Sequence, residues 1–342
     1  MSRSEEPDVR KLITMQTYLL LALACFVTTA VWAELTPEQE AAKQSGIILF
    51  NQYRTAEPQL RIAAEAGDAE SQFYLGEELR LRDRFMTKEV VHWLEEAAQQ
   101  GHSYAMIRIG HSGDSLCAVV GSCPEGSKTP EQWLAEARRL NEPKAAQGDA
   151  EAMYLMYQIT FDIDWIEKAA KAGHSLAQYW LAVAIEQGRG FYWWPGSRQE
   201  AAEKWYKASA EGGYPLSMED YSTMLLNKQD YAGYRLWVER AAKTGYVSAV
   251  FEYALGLAPV IDGLDYGYEE NLVKAYGLLS LLLELDGGGG MAGRAARSQA
   301  EFEDQMTGEQ LEQAREFAAE WKATHPPLSF FKQKLHPSDT LF

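Results

Sequence analysis

The chain has 342 residues, and 46% of them are hydrophobic, which suffices to bury the core of a large domain or an extended repeat array. Its 12% aromatic content excludes a disordered acidic tail, because tails of that kind lack aromatic residues. The formal net charge of −17 repels phosphate backbones and anionic lipids and attracts basic proteins, although acidity also serves plain solubility.

Residues 1–33 have the pattern of a secretory signal. Arg10 and Lys11 precede an apolar run, and Val31-Trp32-Ala33 fits the small residues that precede a cleavage site. The run is rather long for a signal, which leaves an uncleaved membrane anchor open, and a lipoprotein signal at Cys25 is a weaker alternative. We expect a mature chain that begins at Glu34 and resides in the periplasm.

One sequence motif recurs six times. It consists of a helix end rich in Ala, then a Gly, then a small residue four positions after the Gly. Gly adopts the left-handed conformation that ends a helix, and the small residue allows the next helix to cross closely. In four repeats a Trp lies eight residues before the Gly. The glycines are Gly67, Gly101, Gly148, Gly173, Gly213 and Gly245, the small residues are Ser71, Ala105, Ala152, Ala177, Ser217 and Ala249, and the tryptophans are Trp93, Trp165, Trp205 and Trp237.

A larger apolar or aromatic residue follows each small residue by four positions, on the same helical face. Each unit is therefore predicted to be an antiparallel helix pair that cannot bury its face alone. Stacked pairs bury a continuous core. We predict an all-α fold, a solenoid over residues 34–290.

This pattern resembles the Sel1-like repeat family, a relative of the tetratricopeptide repeat. The clearest stretch is 177–213, where Ala177-Gln178-Tyr179-Trp180-Leu181-Ala182 leads to Gly188-Arg189-Gly190 and then to Trp205. The resemblance covers roughly residues 58–285, although Leu140 stands where the third unit should have Trp. It implies a right-handed solenoid that binds proteins along a concave surface made by the first helix of each pair.

The link between Gly101 and Gly148 carries an additional loop with two cysteines, Cys117 and Cys123. An even pair in an exported protein favours a disulfide. The spacing is not Cys-x-x-Cys and no His or Cys cluster completes a tetrahedral set, so a metal site is not expected.

Residues 291–342 are predicted to be a helical cap and a tail. The sequence Thr307-Gly308-Glu309-Gln310 has the pattern of a capping box that opens a helix reaching about Ala323. Pro326-Pro327 stops that helix, and we expect the tail to Phe342 to be loosely ordered.

Nothing in the sequence indicates catalysis. There is no nucleophile elbow, zinc-protease motif or phosphate-binding glycine loop. His102 and His174 each follow a repeat glycine directly, which marks them as turn residues. We expect no enzymatic activity, no cofactor and no metal.

The seventh position after each repeat glycine varies while its neighbours do not, as expected of an outward position that is either used for recognition or idle. It supplies the candidate partner contacts Tyr74, Arg108, Trp180, Asp220 and Glu252, and Leu155 is its sixth member. A second candidate is the run Phe191-Tyr192-Trp193-Trp194, placed in a turn. These four rings cannot all enter the core, so Trp193 and Trp194 either contact a partner or fold over their own repeat.

The predicted export, short repeat array, acidic balance and helical cap together resemble the Sel1-repeat immunity proteins of type VI secretion phospholipase effectors, especially those of the phospholipase D family in Pseudomonas. That resemblance implies a periplasmic protein that neutralises a secreted phospholipase by covering its active-site region. The alternative is a periplasmic scaffold for envelope assembly or polysaccharide export.

Overall fold

The computed structural model describes residues 34–112, 128–259, 266–285 and 290–335, and within these ranges the secondary structure is helical. Residues 1–33, with the predicted signal, and Cys117 and Cys123, with the predicted disulfide, lie outside the described residues. Sixteen helices are described: α1 Pro37–Asn51, α2 Glu57–Glu65, α3 Ala69–Asp83, α4 Lys88–Gln99, α5 Ser103–His111, α6 Pro130–Ala146, α7 Ala150–Thr160, α8 Asp164–Lys171, α9 Ser175–Glu186, α10 Ser197–Glu211, α11 Pro215–Asn227, α12 Tyr231–Lys243, α13 Val247–Gly256, α14 Leu272–Leu283, α15 Met291–Glu303 and α16 Gly308–Thr324.

The repeat glycines are helix caps, as predicted. All six have positive φ, between 82° at Gly245 and 96° at Gly67 and Gly148. After four of them the next residue caps the following helix with its side chain. Asp68, His102, Asp149 and His174 each accept a hydrogen bond from the backbone N–H three residues later. The turn residue thus closes one helix and opens the next.

The helices stack in chain order. Each of α1 to α13 packs mainly against its predecessor and its successor, which defines a solenoid of helix pairs. The small residue after each glycine is buried in all six repeats, with at most 2% of its surface exposed at Ala152. Among the described residues, no helix is long and apolar enough to cross a membrane.

The core consists of two hydrophobic clusters that meet at α7. Tyr154 belongs to the cluster that continues to the C-terminal cap, whereas Leu155 and Met156 belong to the cluster of the first repeats, and Met153 packs against both. One helix therefore couples the two halves.

The cap follows α13. α14 packs against both α15 and α16. Helix α16 begins with the predicted capping box, because Thr307 and Gln310 exchange side-chain to backbone hydrogen bonds of 3.2 and 2.9 Å. Helix α15 was not anticipated as a separate element.

The expectation of a loosely ordered tail is wrong for residues 326–335. This stretch, which we call the C-terminal segment, runs without helix from Pro326 to Leu335. It is held against helices from both ends of the array, and Leu335 is buried among the first repeats with 2% of its surface exposed.

Candidate protein-binding surface

The first helices of the pairs, α1, α3, α5, α7, α9, α11 and α13, line one side of the array, and the C-terminal segment lies against this side. Its contacts reach α1, α3, α5, α9 and the start of α13. Ten extended residues span about 35 Å at most. A segment this short can contact both α1 and α13 only because the array curves around it. We call the curved inner side the groove.

Backbone hydrogen bonds fix the middle of the segment. The N–H of Val247 donates to the carbonyl of Ser329 at 3.1 Å, and the N–H of Ser329 donates to the carbonyl of Gly245 at 2.9 Å. The N–H of Phe330 donates to the carbonyl of Asn51 at 2.9 Å. Residues almost two hundred positions apart are thus joined through two adjacent residues of the segment.

Side chains fix the rest of the segment. The Lys332 ammonium lies over the rings of Phe50 and Tyr53, at 3.6 and 4.4 Å from their centroids. The Lys334 ammonium lies 3.6 Å from the Glu70 carboxylate. The same ammonium is 5.2 Å from the Tyr104 ring and 5.7 Å from the Tyr74 ring. Cations between aromatic faces and a carboxylate are stabilised by both.

The interpretation of the seventh repeat position as outward-facing is wrong in the first repeats. Tyr74 and Arg108 are 8% and 4% exposed, and Leu155 is buried as well. Arg108 donates through Nε and Nη2 to both carboxylate oxygens of Glu77, at 2.8 and 2.9 Å. A buried guanidinium requires such a pair, a reason the sequence pattern did not reveal. The C-terminal segment also covers this pair, because Arg108 donates to the Lys334 carbonyl at 3.4 Å.

Trp180 is half-buried on α9 and faces the groove. Its indole N–H donates to the Gln333 side chain at 3.3 Å, and Gln333 donates in turn to the Tyr214 hydroxyl at 3.1 Å. The C-terminal segment therefore contacts Trp180 in this state.

Asp220 and Glu252 lie farther along the groove, beside Glu219. Burial, together with the carboxylates of Glu219 and Glu186, raises the pKa of Asp220 to about 6. Burial also raises the pKa of Glu219 and of Glu252. No described Lys or Arg forms an ion pair with any of these carboxylates.

Tyrosines surround these carboxylates and were missed by the sequence reasoning. The hydroxyls of Tyr206, Tyr234 and Tyr246 donate to Glu186, Glu252 and Glu219 at 2.8, 2.8 and 2.9 Å. The carboxylates recur on the consecutive first helices α9, α11 and α13, whereas their tyrosine partners lie on α10, on α12 and just before α13, so the pairs share no register position. A single-position scan does not find them.

The aromatic turn between α9 and α10 separates into two parts. Phe191, Trp193 and Trp194 are 74%, 81% and 79% exposed. Tyr192 is half-buried, and the Arg198 guanidinium lies 4.8 Å from its ring centroid. Folding over the turn's own repeat thus accounts for Tyr192 alone.

Arg198 also holds the backbone of this turn. It donates to the carbonyls of Ile185, Arg189 and Gly190 at 2.7, 3.0 and 3.3 Å. The three exposed rings are therefore presented by a turn of defined shape.

The two histidines after repeat glycines are structural. Burial lowers the pKa of His102 to about 4, so its imidazole is neutral at neutral pH and its Nδ1 can accept the cap hydrogen bond. The His174 Nε2 lies 2.7 Å from Glu151, which also accepts a hydrogen bond from the Tyr104 hydroxyl. In the described part of the chain, no group of three or more His, Cys, Asp or Glu side chains could hold a metal ion.

No family model matches this chain, and no curated protein matches it. The solved structures that are similar to it include the following two. A protective antigen of uropathogenic Escherichia coli strains, which displays an SLR fold, is 19% identical with a TM-score of 0.45, and the match covers 84% of this chain and 62% of the antigen. A Sel1 repeat protein from Oxalobacter formigenes is 22% identical with a TM-score of 0.33, over 67% of this chain and 95% of that protein. The chain thus spans less than two thirds of the antigen's length.

Proposed function

We propose that this chain is a periplasmic immunity protein that binds a type VI secreted phospholipase effector and neutralises it by covering the active-site region. The solenoid supplies the binding surface, and the neutralisation requires no chemistry. The N-terminal residues 1–33 direct export, and the mature protein begins at Glu34.

The observation that carries the proposal is the aromatic turn. Phe191, Trp193 and Trp194 expose most of their surface, on a backbone held by the hydrogen bonds of Arg198. Large aromatic residues on a preorganised turn are the side chains that dominate protein interfaces, because they bury much area at little cost in conformational entropy. Trp193 and Trp194 are therefore the anchors we assign to the partner.

Electrostatics supports the choice of partner. The groove carries the exposed carboxylate of Glu186 and the half-buried carboxylates of Asp220 and Glu252, and the chain has a formal net charge of −17. An enzyme that hydrolyses phosphodiesters needs positive charge around its active site to hold the substrate. An acidic surface competes with the anionic lipid for that region and accelerates the encounter.

The test is the titration of the purified mature protein against the phospholipase encoded next to it, with enzyme activity followed on lipid vesicles. We expect a tight complex and full inhibition by the wild type. Trp194→Ala should weaken binding about tenfold or more, as expected of a hot-spot tryptophan. The matched control is Phe85→Ala, because Phe85 is 59% exposed on a turn between two other helices. Its truncation should leave binding to the phospholipase unchanged.

Raised salt should slow association more than it speeds dissociation, because the encounter is electrostatic. Absence of binding to the adjacent phospholipase would refute the immunity function and leave the envelope scaffold as the better explanation. Equal losses for Phe85→Ala and Trp194→Ala would refute the assignment of the aromatic turn.

A further inference from the structure

The C-terminal segment shows which ligand chemistry the groove accepts. It is extended, and it adds a short parallel bridge between Ser329 and Tyr246. Lys332 and Lys334 are two residues apart, and both reach aromatic rings of the first helices. The groove therefore already holds a lysine-bearing peptide, which belongs to the same chain.

The C-terminal segment pairs with only part of the negative charge of the groove. Of its carboxylates, Glu70 is paired with Lys334. Glu219, Asp220 and Glu252 have no cationic partner among the described residues, and each is partly shielded from water. A longer or more basic segment than residues 326–335 would satisfy carboxylates that the chain's own segment leaves unpaired.

The segment is also held under some strain. Phe331 has a φ of 51°, in the left-handed region that a bulky side chain disfavours. Residues 328–334 are all half-buried, and only Leu335 is fully buried. Most of the segment therefore keeps one side toward solvent, where a competitor can begin to replace it.

We propose that the groove is a peptide-binding surface for an extended, lysine-bearing segment of the partner, and that residues 328–335 occupy it as an internal competitor until the partner's segment displaces them. The inference rests on the proposed function, because it names the chemistry by which the protein partner enters the groove. Displacement also uncovers Tyr74, Arg108 and Trp180, which the segment now contacts.

Competition by the tethered segment lowers the apparent affinity of the groove for a free peptide, and this effect can be measured. A tethered segment acts at an effective concentration of roughly millimolar, so a free peptide binds the wild-type groove only weakly. The apparent affinity is reduced by the fraction of molecules whose groove is open. Variants that release the segment without altering the groove should therefore bind the same peptide more tightly.

The experiment uses the full-length chain and a fluorescent peptide with the sequence of residues 326–335. Two variants weaken the segment by different means. Lys332→Glu combined with Lys334→Glu reverses its charges, and Ser329→Pro removes the N–H that donates to the Gly245 carbonyl. Hydrogen exchange at the Val247 amide, whose acceptor is the Ser329 carbonyl, reports whether the segment has left.

We expect faster exchange at Val247 in both variants, with helical circular dichroism retained. Peptide binding, measured by fluorescence anisotropy, should be at least tenfold tighter than for the wild type. A control peptide with Glu in place of both lysines should bind at least tenfold more weakly than the natural peptide.

Three results would overturn the proposal. Unchanged exchange at Val247 in both variants would show that the segment cannot be displaced, and loss of the helical signal in both would show that it is an integral part of the fold. A released segment with no gain in peptide binding, or with equal binding of the Glu peptide, would refute the lysine-binding groove. Because the probe is a peptide, none of these outcomes depends on the phospholipase. Failure to bind the phospholipase with peptide binding intact would refute only the immunity function.

Discussion

Single residues in this solenoid carry constraints that the repeat pattern shows only in part. A Cβ at Gly173 or Gly213 would meet nothing within 4 Å, so only the backbone conformation requires glycine there. A Cβ at Gly245 would lie 2.5 Å from the Pro327 carbonyl oxygen, so this glycine also makes room for the C-terminal segment. The repeat glycine is thus required for its backbone conformation at every cap, and at Gly245 also for the space that it leaves to the C-terminal segment.

Gly173→Ala should destabilise the protein by about 1 to 2 kcal/mol, the cost of a left-handed conformation with a Cβ. The matched control is Gly293→Ala, because Gly293 also has open space around it but lies inside α15 without a positive φ. That change should be neutral or stabilise by up to about 1 kcal/mol. Urea unfolding measures both, and equal effects would contradict the cap assignment.

Glu77→Ala should cost about 3 kcal/mol or more, because it removes the carboxylate that accepts two hydrogen bonds from the buried Arg108 guanidinium. Both side chains are at most 5% exposed. Glu142→Ala removes the partner of Arg138 in an exposed ion pair on α6 and should cost less than about 1 kcal/mol. Thermal unfolding of the two variants gives the comparison, and similar losses would show that the buried pair adds nothing.

At the scale of elements, the sequence was sufficient for the repeat helices and insufficient for α15 and the C-terminal segment. Helix ends are local events, because a glycine with positive φ and a capping side chain act within four residues. The segment has no periodicity, and its partners, Asn51 and Val247, are far from it in the chain. Its composition held the one available clue, since Lys332 and Lys334 flank Gln333 in an acidic chain. Burial of Tyr74 and Arg108 could not be predicted for the same reason.

The free energy of unfolding depends on pH through Asp220 on helix α11. The pKa of Asp220 is raised to about 6, above the value of about 3.9 in an unfolded chain. Between these values the folded chain binds more protons, so the free energy of unfolding falls as the pH rises through this window. The destabilisation is fully present above pH 6.

Asp220→Asn should therefore raise the melting temperature at pH 7.5, and the gain should shrink as the pH is lowered toward 4. Melting curves at several pH values test this, with Asp304→Asn, at an exposed position after α15, as the control for the amide change itself. A gain that is constant from pH 7.5 to 4.5 would show that ionisation of Asp220 is not its cause.

For the whole molecule, the arrangement of the two core clusters determines how cooperatively the protein unfolds. A repeat array is stabilised by neighbours only, so its two halves tend to unfold separately. Here the C-terminal segment connects them in addition to α7, since Leu335 is part of the first cluster while Phe330 and Phe331 pack against the second. We expect the wild type to unfold in one cooperative transition.

Leu335→Ala should destabilise the protein by about 2 to 5 kcal/mol, as expected for truncation of a buried leucine, and should split the unfolding into two transitions. Leu81→Ala, at a position 42% exposed on α3, is the control and should leave one transition. Circular dichroism and tryptophan fluorescence in urea should then diverge for Leu335→Ala only. Coincident curves for both variants would contradict the coupling.

The hydrogen bonds from Ser329 and Phe330 to opposite ends of the array also change its mechanics. An open superhelix behaves like a spring, whose pitch varies because small rotations between neighbouring pairs add along its length. Fastening the ends to two adjacent residues turns the spring into a closed loop, in which every rotation must be compensated elsewhere. Such a loop keeps one curvature while it is fastened and recovers its elasticity when it opens, so the same ten residues set both the shape of the surface and its compliance.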